Sequence, residues 1–250
     1  MKEKQKKDEF SFDDAGKSSS HLPLRGGKLI DLKTLKVRNR KKTDYWTFEL
    51  AVDFVPTSSL REPVYEYLCE LCETRANPAD DSSDEEDVPA DPKKLDFLLK
   101  MLGTCLLGRK NRWFYILTGI SKCGKTILAN LVAKILGQEF WSIMDKKILF
   151  RKVAAEDLKA SLLGKRMVRT MESRDKQELN APLVKGFLAG GDEVNFRKQN
   201  QGKDDTTTQY FYATPLLVTN ELPVWQDSTE AMNNRIVVLH LNRYHGDTQR

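Results

Sequence analysis

Cysteine and histidine are scarce in this 250-residue chain, four and three copies respectively, and their scarcity removes several chemistries at once. Cys69, Cys72, Cys105 and Cys123 are too few to form a disulfide scaffold at this length, and they fit a reducing, intracellular compartment. Cys69-Glu70-Leu71-Cys72 is a CxxC, but no second Cys/His pair lies near it. It falls on a segment of helical periodicity, which favours packed thiols over zinc. His21, His240 and His245 are scattered and assemble no triad with a serine or cysteine. No run approaches the ~18 consecutive apolar residues of a membrane-spanning helix, so no membrane partner is expected. The opening "MKEKQKKDEFSFDD" is charged throughout and lacks the apolar stretch of a secretory signal.

What is present is a charged but globular composition: 40% hydrophobic and 31% charged residues, with a net charge of +5. That balance suits an anionic partner such as nucleic acid, and equally an ordinary basic protein. The acidic residues crowd into "ADDSSDEEDVPAD" (79–91), which leaves the remaining body more basic than the total suggests. This stretch, with two prolines, reads as a solvated loop.

Residues 1–20 are polar and read as a mobile arm. Residues 21–110 read as a small accessory α+β module. It begins with short β-like segments broken by Gly-Gly and continues with a helix over 61–75, placing Val64, Tyr67, Leu68 and Leu71 at helical spacing. The acidic loop follows, and then an amphipathic helix over 93–108 ended by glycine. From 111 to 250 the rhythm changes. "WFYILTG" reads as a buried strand, "TILANLVAKILG" as a helix closed by Gly137, and "FWSIM" as a short strand. "AAEDLKASLLG" reads as a helix, "KRMVRTMES" as a strand and "LNAPLVKGFLAGGD" as a helix running into a turn. "EVNFRKQ" and "TTQYFYA" alternate like hairpin arms, and "PLLVTN" and "RIVVLHL" are further strands. Alternating strands and helices predict an α/β fold with a mostly parallel sheet covered on both faces.

The chemistry centres on Gly119-Ile120-Ser121-Lys122-Cys123-Gly124-Lys125-Thr126, which fits G-x-x-x-x-G-K-[ST]. Glycines let backbone amides curl around phosphates, Lys125 reaches the β/γ oxygens, and Thr126 offers a hydroxyl to Mg²⁺. An apolar strand leads in and a helix leads out, so the helix N-terminus faces the anion. Glu172, at the end of "KRMVRTMES", is a candidate for holding the metal or polarising water; a surface glutamate is the plainer alternative. Asn220, after "PLLVTN", can position the lytic water or merely turn the chain toward Pro223. Arg235 opens the last strand and is either an exposed arginine or a finger acting on a neighbouring subunit. Arg197, Lys198 and Lys203 lie on the hairpin, where they can grip a nucleic-acid backbone or serve only solubility.

Taken in order, these motifs resemble superfamily 3 helicases, in particular the primase-helicases of poxviruses, other large DNA viruses and phages. The 119–126 loop matches the first motif, and "GKRMVRTMES" is similar to the second, with Glu172 as its acid. "LNAPLVKGFLAGGDEVNFRK" resembles the family's K-x-L-x-G-G-D-x-[IV]-x-x-R element through Lys185, Gly190, Gly191, Asp192 and Arg197. "PLLVTNELP" resembles the third motif, with Asn220 as sensor, and "NNRIVVLHL" the arginine-finger strand. "LRGGKLIDLKTLKVRNRKKTDYWTFELAVDFVP" is similar to the module preceding the ATPase. The resemblance spans about residues 22–243.

The resemblance implies a P-loop AAA+-type core that binds ATP and Mg²⁺ between the subunits of a ring, usually a hexamer. It also implies translocation on single-stranded or fork DNA by channel hairpins, alongside other replication partners at a viral replication site in the host cytoplasm. Three departures are plain. Asn234-Arg235 stands where paired arginines are common, the hairpin tip is longer than usual, and the chain stops soon after the finger strand. The last point leads to the expectation that it is a piece of a longer viral protein. Two other classes stay open on sequence: an AAA+ ATPase that moves protein or packages DNA, and a non-hydrolysing nucleotide-binding ring module.

Overall fold

The computed structural model describes residues 20–75, 88–150, 162–171, 177–189, 193–196, 207–227 and 229–245. The first elements are β1 (His21–Leu24), β2 (Lys28–Asp31) and β3 (Val37–Asn39), an antiparallel meander. Gly26 and Gly27, at φ +75° and +69°, supply the left-handed turn that pairs Leu24 with Lys28. Leu22, Leu24, Leu29 and Ile30 point from this meander into the core.

Helix α1 (Arg61–Glu70) is shorter than the 61–75 expected from periodicity. The chain turns at Leu71, which is fully buried, and Thr74–Arg75 forms β4. Across the turn, Thr74 and Val88 exchange backbone hydrogen bonds of 3.0 and 2.9 Å, so the end of the stretch read as a solvated loop is paired with backbone. Residues 76–87, most of that acidic stretch, lie outside the described residues. Helix α2 (Pro92–Leu106) starts on an Asp91 cap, whose carboxylate accepts from the Lys93 amide, with Pro92 in the first turn. Leu95, Leu98, Met101 and Cys105 form its buried stripe.

β5 (Phe114–Gly119), α3 (Lys125–Leu136), β6 (Trp141–Ile143), α4 (Lys146–Phe150) and β7 (Met167–Met171) follow. The helix expected over "AAEDLKASLLG" falls mostly outside the described residues. Where a helix was expected before the Gly-Gly turn, Leu183–Leu188 forms a π-helical turn, with Ala189 N–H donating to the Val184 carbonyl. The hairpin arms are β8 (Glu193–Phe196) and β9 (Thr207–Tyr210), paired antiparallel. β10 (Thr214–Val218), a single turn α5 (Glu230–Asn233) and β11 (Ile236–Arg243) complete the order.

Among the described residues, six strands form one parallel sheet in the order β4-β11-β5-β10-β7-β6. Its period-2 alternation sorts the core into two layers. Tyr115 and Leu117 face α2, α3 and the N-terminal meander, together with Leu216, Val218, Leu239 and Leu241. Phe114 and Ile116 face the other way, onto Ile148, Leu149, Val184, Leu188 and Met232. The fold is an α/β P-loop fold, a parallel sheet flanked by helices, with a small antiparallel sheet at the N-terminal side. No helix among the described residues is long and apolar enough to cross a membrane.

A side chain with no sequence signal ties the N-terminal meander to the end of α2. Arg166, 0% exposed, donates to the Leu106 carbonyl at 2.5 Å and the His21 carbonyl at 2.6 Å. Its guanidinium lies 5.4 Å from the Trp46 ring centroid and 5.8 Å from that of Phe140. Burial pulls its pKa down to about 9. Arg169, which interrupts the apolar run of β7, stacks 4.5 Å from the Trp141 ring and donates to Asn130 of α3 at 2.6 Å. Burial also lowers its pKa. Both arginines fill the interior as flat cations against aromatic faces.

Candidate nucleotide-binding site

The Gly119–Thr126 loop joins the C-terminal end of β5 to the N-terminus of α3, where ligand sites collect in open α/β sheets. Its two glycines are fixed for different reasons. Gly119 (φ +142°) pairs with Leu241 of β11, and a Cβ there would overlap the Leu241 carbonyl oxygen. Gly124 (φ +89°) caps α3, and a Cβ there would sit 2.6 Å from Leu71 Cδ2 and 3.2 Å from Tyr67 Oη. Lys122, at φ 61°, takes the left-handed conformation that bends the loop between them.

Lys125 is buried, and its Nζ donates to the carbonyls of Gly119 at 2.8 Å and Ile120 at 2.7 Å, with Cys123 Sγ at 3.2 Å. Thr126 and Ser121 are exposed, Ile120 is half-buried and Cys123 is buried. The first-turn N–H groups of α3 have no intrahelical acceptors, so the loop offers an anion a helix N-terminus, an ammonium and a hydroxyl together. That donor set fits the phosphates of a nucleoside triphosphate. Thr126, at the start of α3, carries an exposed hydroxyl beside that donor set.

Asn220 follows β10, the strand beside β5. Its carbonyl accepts from Thr118 Oγ1 at 3.1 Å, one residue before the loop begins, and its side chain is exposed. Lys125 and Asn220 are therefore brought to the same sheet edge. Met171 ends β7 level with Val218, itself level with Leu117 of β5. Glu172 lies outside the described residues, as do Gly190, Gly191, Asp192, Arg197, Lys198 and Lys203. Lys185 is described, and it pairs with Asp227 at 2.5 Å. Arg235 sits at the opposite edge, at the start of β11. Its carbonyl accepts from Phe114 N–H, and its Nη1 donates to the Ala231 carbonyl at 2.7 Å.

Sequence reading missed what covers the loop. Tyr67 and Leu71 of the α1 region press on Gly124 from one side. The His245 amide donates to the Lys122 carbonyl at 3.3 Å, and its ring lies 6.5 Å from that of Tyr67. Burial, with Cys123 and Glu70 adding to it, pushes the Tyr67 hydroxyl up to about 12. Its Oη is buried without a hydrogen-bond partner. The helical spacing of Tyr67 and Leu71 signalled a buried face, but not that the face lies on the phosphate loop. Cys72, in the CxxC, is buried, and burial raises its thiol to about 11, away from the thiolate that zinc requires. Among the described residues no group of three His, Cys, Asp or Glu side chains can hold a metal ion.

No protein-family model matches the chain. It is 27% identical over 157 residues, 61% of its length, to a protein of Acanthamoeba polyphaga mimivirus that carries the name "Putative helicase". The chain spans 16% of that protein. Among solved structures it is similar to the C-terminal region of NrS-1, with a TM-score of 0.54 and 18% identity, covering 82% of this chain and 44% of that one. A second structure of that region gives a TM-score of 0.51 at 17% identity, covering 79% and 42%. These structural likenesses bear on the fold.

Proposed function

We propose that this chain is the motor part of a viral superfamily 3 DNA helicase of the primase-helicase type. It hydrolyses ATP between the subunits of a hexameric ring and draws single-stranded DNA through the centre. The observation that carries this reading is the convergence of the Gly119–Thr126 loop, Lys125 and Asn220 on one edge of the parallel sheet. The similarity to the mimivirus protein supports the same class.

In this reading the helix N-terminus and Lys125 hold the triphosphate. The ammonium that is bonded to the Gly119 and Ile120 carbonyls exchanges those partners for phosphate oxygens of greater charge. Thr126 and Glu172 hold Mg²⁺, whose charge, when bound, offsets that of the β- and γ-phosphates. Asn220 orients the attacking water, and Arg235 of one subunit neutralises the phosphate held by the next. Arg197, Lys198 and Lys203 contact the strand through its phosphates, independent of sequence.

The test is the ATPase rate with and without single-stranded DNA, paired with the particle mass in solution. Stimulation by the strand in a ring-sized particle is expected. Hydrolysis indifferent to DNA would assign the ring to protein or packaging work, and nucleotide binding without phosphate release would assign it to a binding module. Neutralising Lys198 and Lys203 is expected to lower the stimulated rate more than the basal one.

A further inference from the structure

A cluster of cationic side chains lies at the other end of β5. The loop before this strand, Arg109-Lys110-Asn111-Arg112-Trp113, walls a cavity of about 230 Å³ together with Thr214 at the start of β10. Arg109, Lys110, Arg112 and Trp113 are exposed, whereas Asn111 is 8% exposed and Thr214 1%. Among the described residues no carboxylate forms an ion pair with Arg109, Lys110 or Arg112. Three cations thus line one small concavity with no carboxylate paired to them among the described residues.

Asn111 adds a neutral donor. Its Oδ1 accepts from the Trp113 amide at 3.2 Å, which fixes which way round the side-chain amide sits. The Nδ2 that remains is buried with no hydrogen-bond partner. An unpaired donor buried beside three cations adds to the positive potential of the concavity. Two further features give the surface direction. Lys110 Nζ lies 3.2 Å from the centroid of Tyr210, the last residue of the hairpin strand β9, and the Tyr210 and Tyr212 rings are 6.2 Å apart. On the other side, Arg109 and Trp113 also wall an apolar cavity of about 710 Å³ that contains Phe97 and Tyr115. Cationic pocket, exposed indole and neighbouring aromatic rings form the pattern of a single-strand platform, on which phosphates meet cations and bases meet rings.

We propose that this pocket holds a backbone phosphate of a nucleic-acid single strand, with an adjoining base against Trp113. It is a site separate from the nucleotide loop, which follows the other end of six-residue β5, roughly 20 Å away at ~3.3 Å per residue. The inference shares with the proposed function the assumption that a single strand is the partner, but it does not depend on ATP hydrolysis.

The experiment is fluorescence anisotropy of a labelled oligothymidylate of about 15 nucleotides on the full chain without nucleotide, across a salt series. Two variants are compared with the wild type. Asn111→Asp keeps the oxygen that accepts from Trp113 and replaces the spare donor with a negative charge. Arg112→Ala alters an exposed side chain only. Each is expected to weaken binding about tenfold, and Arg112→Ala to lower the slope of log K against log salt by about 0.7, as for one lost single-strand phosphate. Wild-type binding that both variants retain in full overturns the pocket alone. A chain that binds no oligonucleotide overturns both this proposal and the nucleic-acid part of the proposed function. Binding of inorganic phosphate or ATP that Asn111→Asp abolishes, without displacing the oligonucleotide and with oligonucleotide binding unchanged, would assign the pocket to a free phosphate and overturn the strand.

Discussion

The ammonium of Lys125 lies 2.8 Å from the carbonyl oxygen of Gly119, the residue that closes β5. Because it also reaches the Ile120 carbonyl at 2.7 Å, the lysine that opens α3 ties its own loop to the strand before it. Hydrogen bonds to a charged group contribute roughly 1.5–3 kcal/mol each when buried. Lys125→Ala is therefore expected to act twice, lowering stability by about 1–3 kcal/mol and removing nucleotide turnover. Urea unfolding and a phosphate-release assay read the two effects separately. Full retained turnover would remove the site assignment, and unchanged stability would show that the lysine is held elsewhere.

Gly124 shows how closely the N-terminal helix controls the loop. Its φ of +89° strains any side chain, and a Cβ would sit 2.6 Å from Leu71 Cδ2. Left-handed strain and overpacking each cost on the order of 1–3 kcal/mol. Gly124→Ala is expected to destabilise by their sum. Adding Leu71→Ala relieves the overlap but not the backbone strain, and it opens a cavity of its own. The double variant is thus expected to lose less stability than the two single variants summed, while staying less stable than Leu71→Ala alone because the backbone strain remains. A thermal-denaturation double-mutant cycle measures the coupling, and additivity of the two changes would show that Leu71 and Gly124 do not touch.

Much of this arrangement was legible in the sequence, for identifiable reasons. β5 and α3 carry strong periodicity and glycine punctuation, and the arms of β8 and β9 alternate with period 2. What escaped reading depends on partners distant in sequence. Thr74–Arg75 is a strand because Asn242 and Arg243 of β11 pair with it and Val88 bridges to Thr74. Glu73 then pairs with Arg243, which also lies 3.6 Å from Glu70. Arg169 reads as a flaw in an apolar run until Trp141 and Asn130 are placed beside it. The π-helical turn at Leu183–Leu188 follows Pro182, which contributes no N–H to an α-helical ladder.

Arg166 gives a prediction about cohesion. It joins the carbonyls of His21 in β1 and Leu106 at the end of α2 from a fully buried position. Removing the guanidinium leaves two buried carbonyls without that donor, at about 1–3 kcal/mol each, roughly 2–6 kcal/mol together. Arg166→Ala is expected to fall in that range by urea unfolding, and to expose the 21–24 strand to proteolysis first. Arg166→Met, which restores volume between Trp46 and Phe140 but no donor, is expected to recover part of the loss. Recovery to wild-type stability would mean that packing alone, and not the two carbonyls, accounts for the effect.

The pair Lys185–Asp227 makes the π-helical turn sensitive to acid. The Lys185 ammonium, with Thr229 donating from side chain and backbone, holds the Asp227 carboxyl at about 2, below its ordinary 3.8. A carboxyl depressed on folding stabilises the native state fully above its unfolded value, and that contribution is lost as pH falls through the folded value. The window therefore runs from about pH 4 down to about pH 2. Melting temperatures of the wild type are expected to fall across this window more steeply than those of Lys185→Met. Parallel curves would place the acid sensitivity in other carboxylates, such as Asp44, which the Arg38 guanidinium also holds at about 2.

Arg235 and Lys125 lie near opposite ends of β5, six residues long, so roughly 15–20 Å of strand separates them within one chain. That spacing is too great for both to act on one phosphate in the same subunit, so a finger role for Arg235 requires a neighbour. Arg235→Lys keeps a donor for the Ala231 carbonyl but loses the planar fork that grips phosphate, so it tests the role with little cost to folding. Alone, Arg235→Lys and Lys125→Ala are each expected to be nearly inactive as ATPases while still assembling. Mixed in equal amounts, they place an intact loop against an intact finger at about one interface in four, and activity is expected to return to that order. A mixture that stays inactive would show that Arg235 serves only its own chain, as the cap on the Ala231 carbonyl.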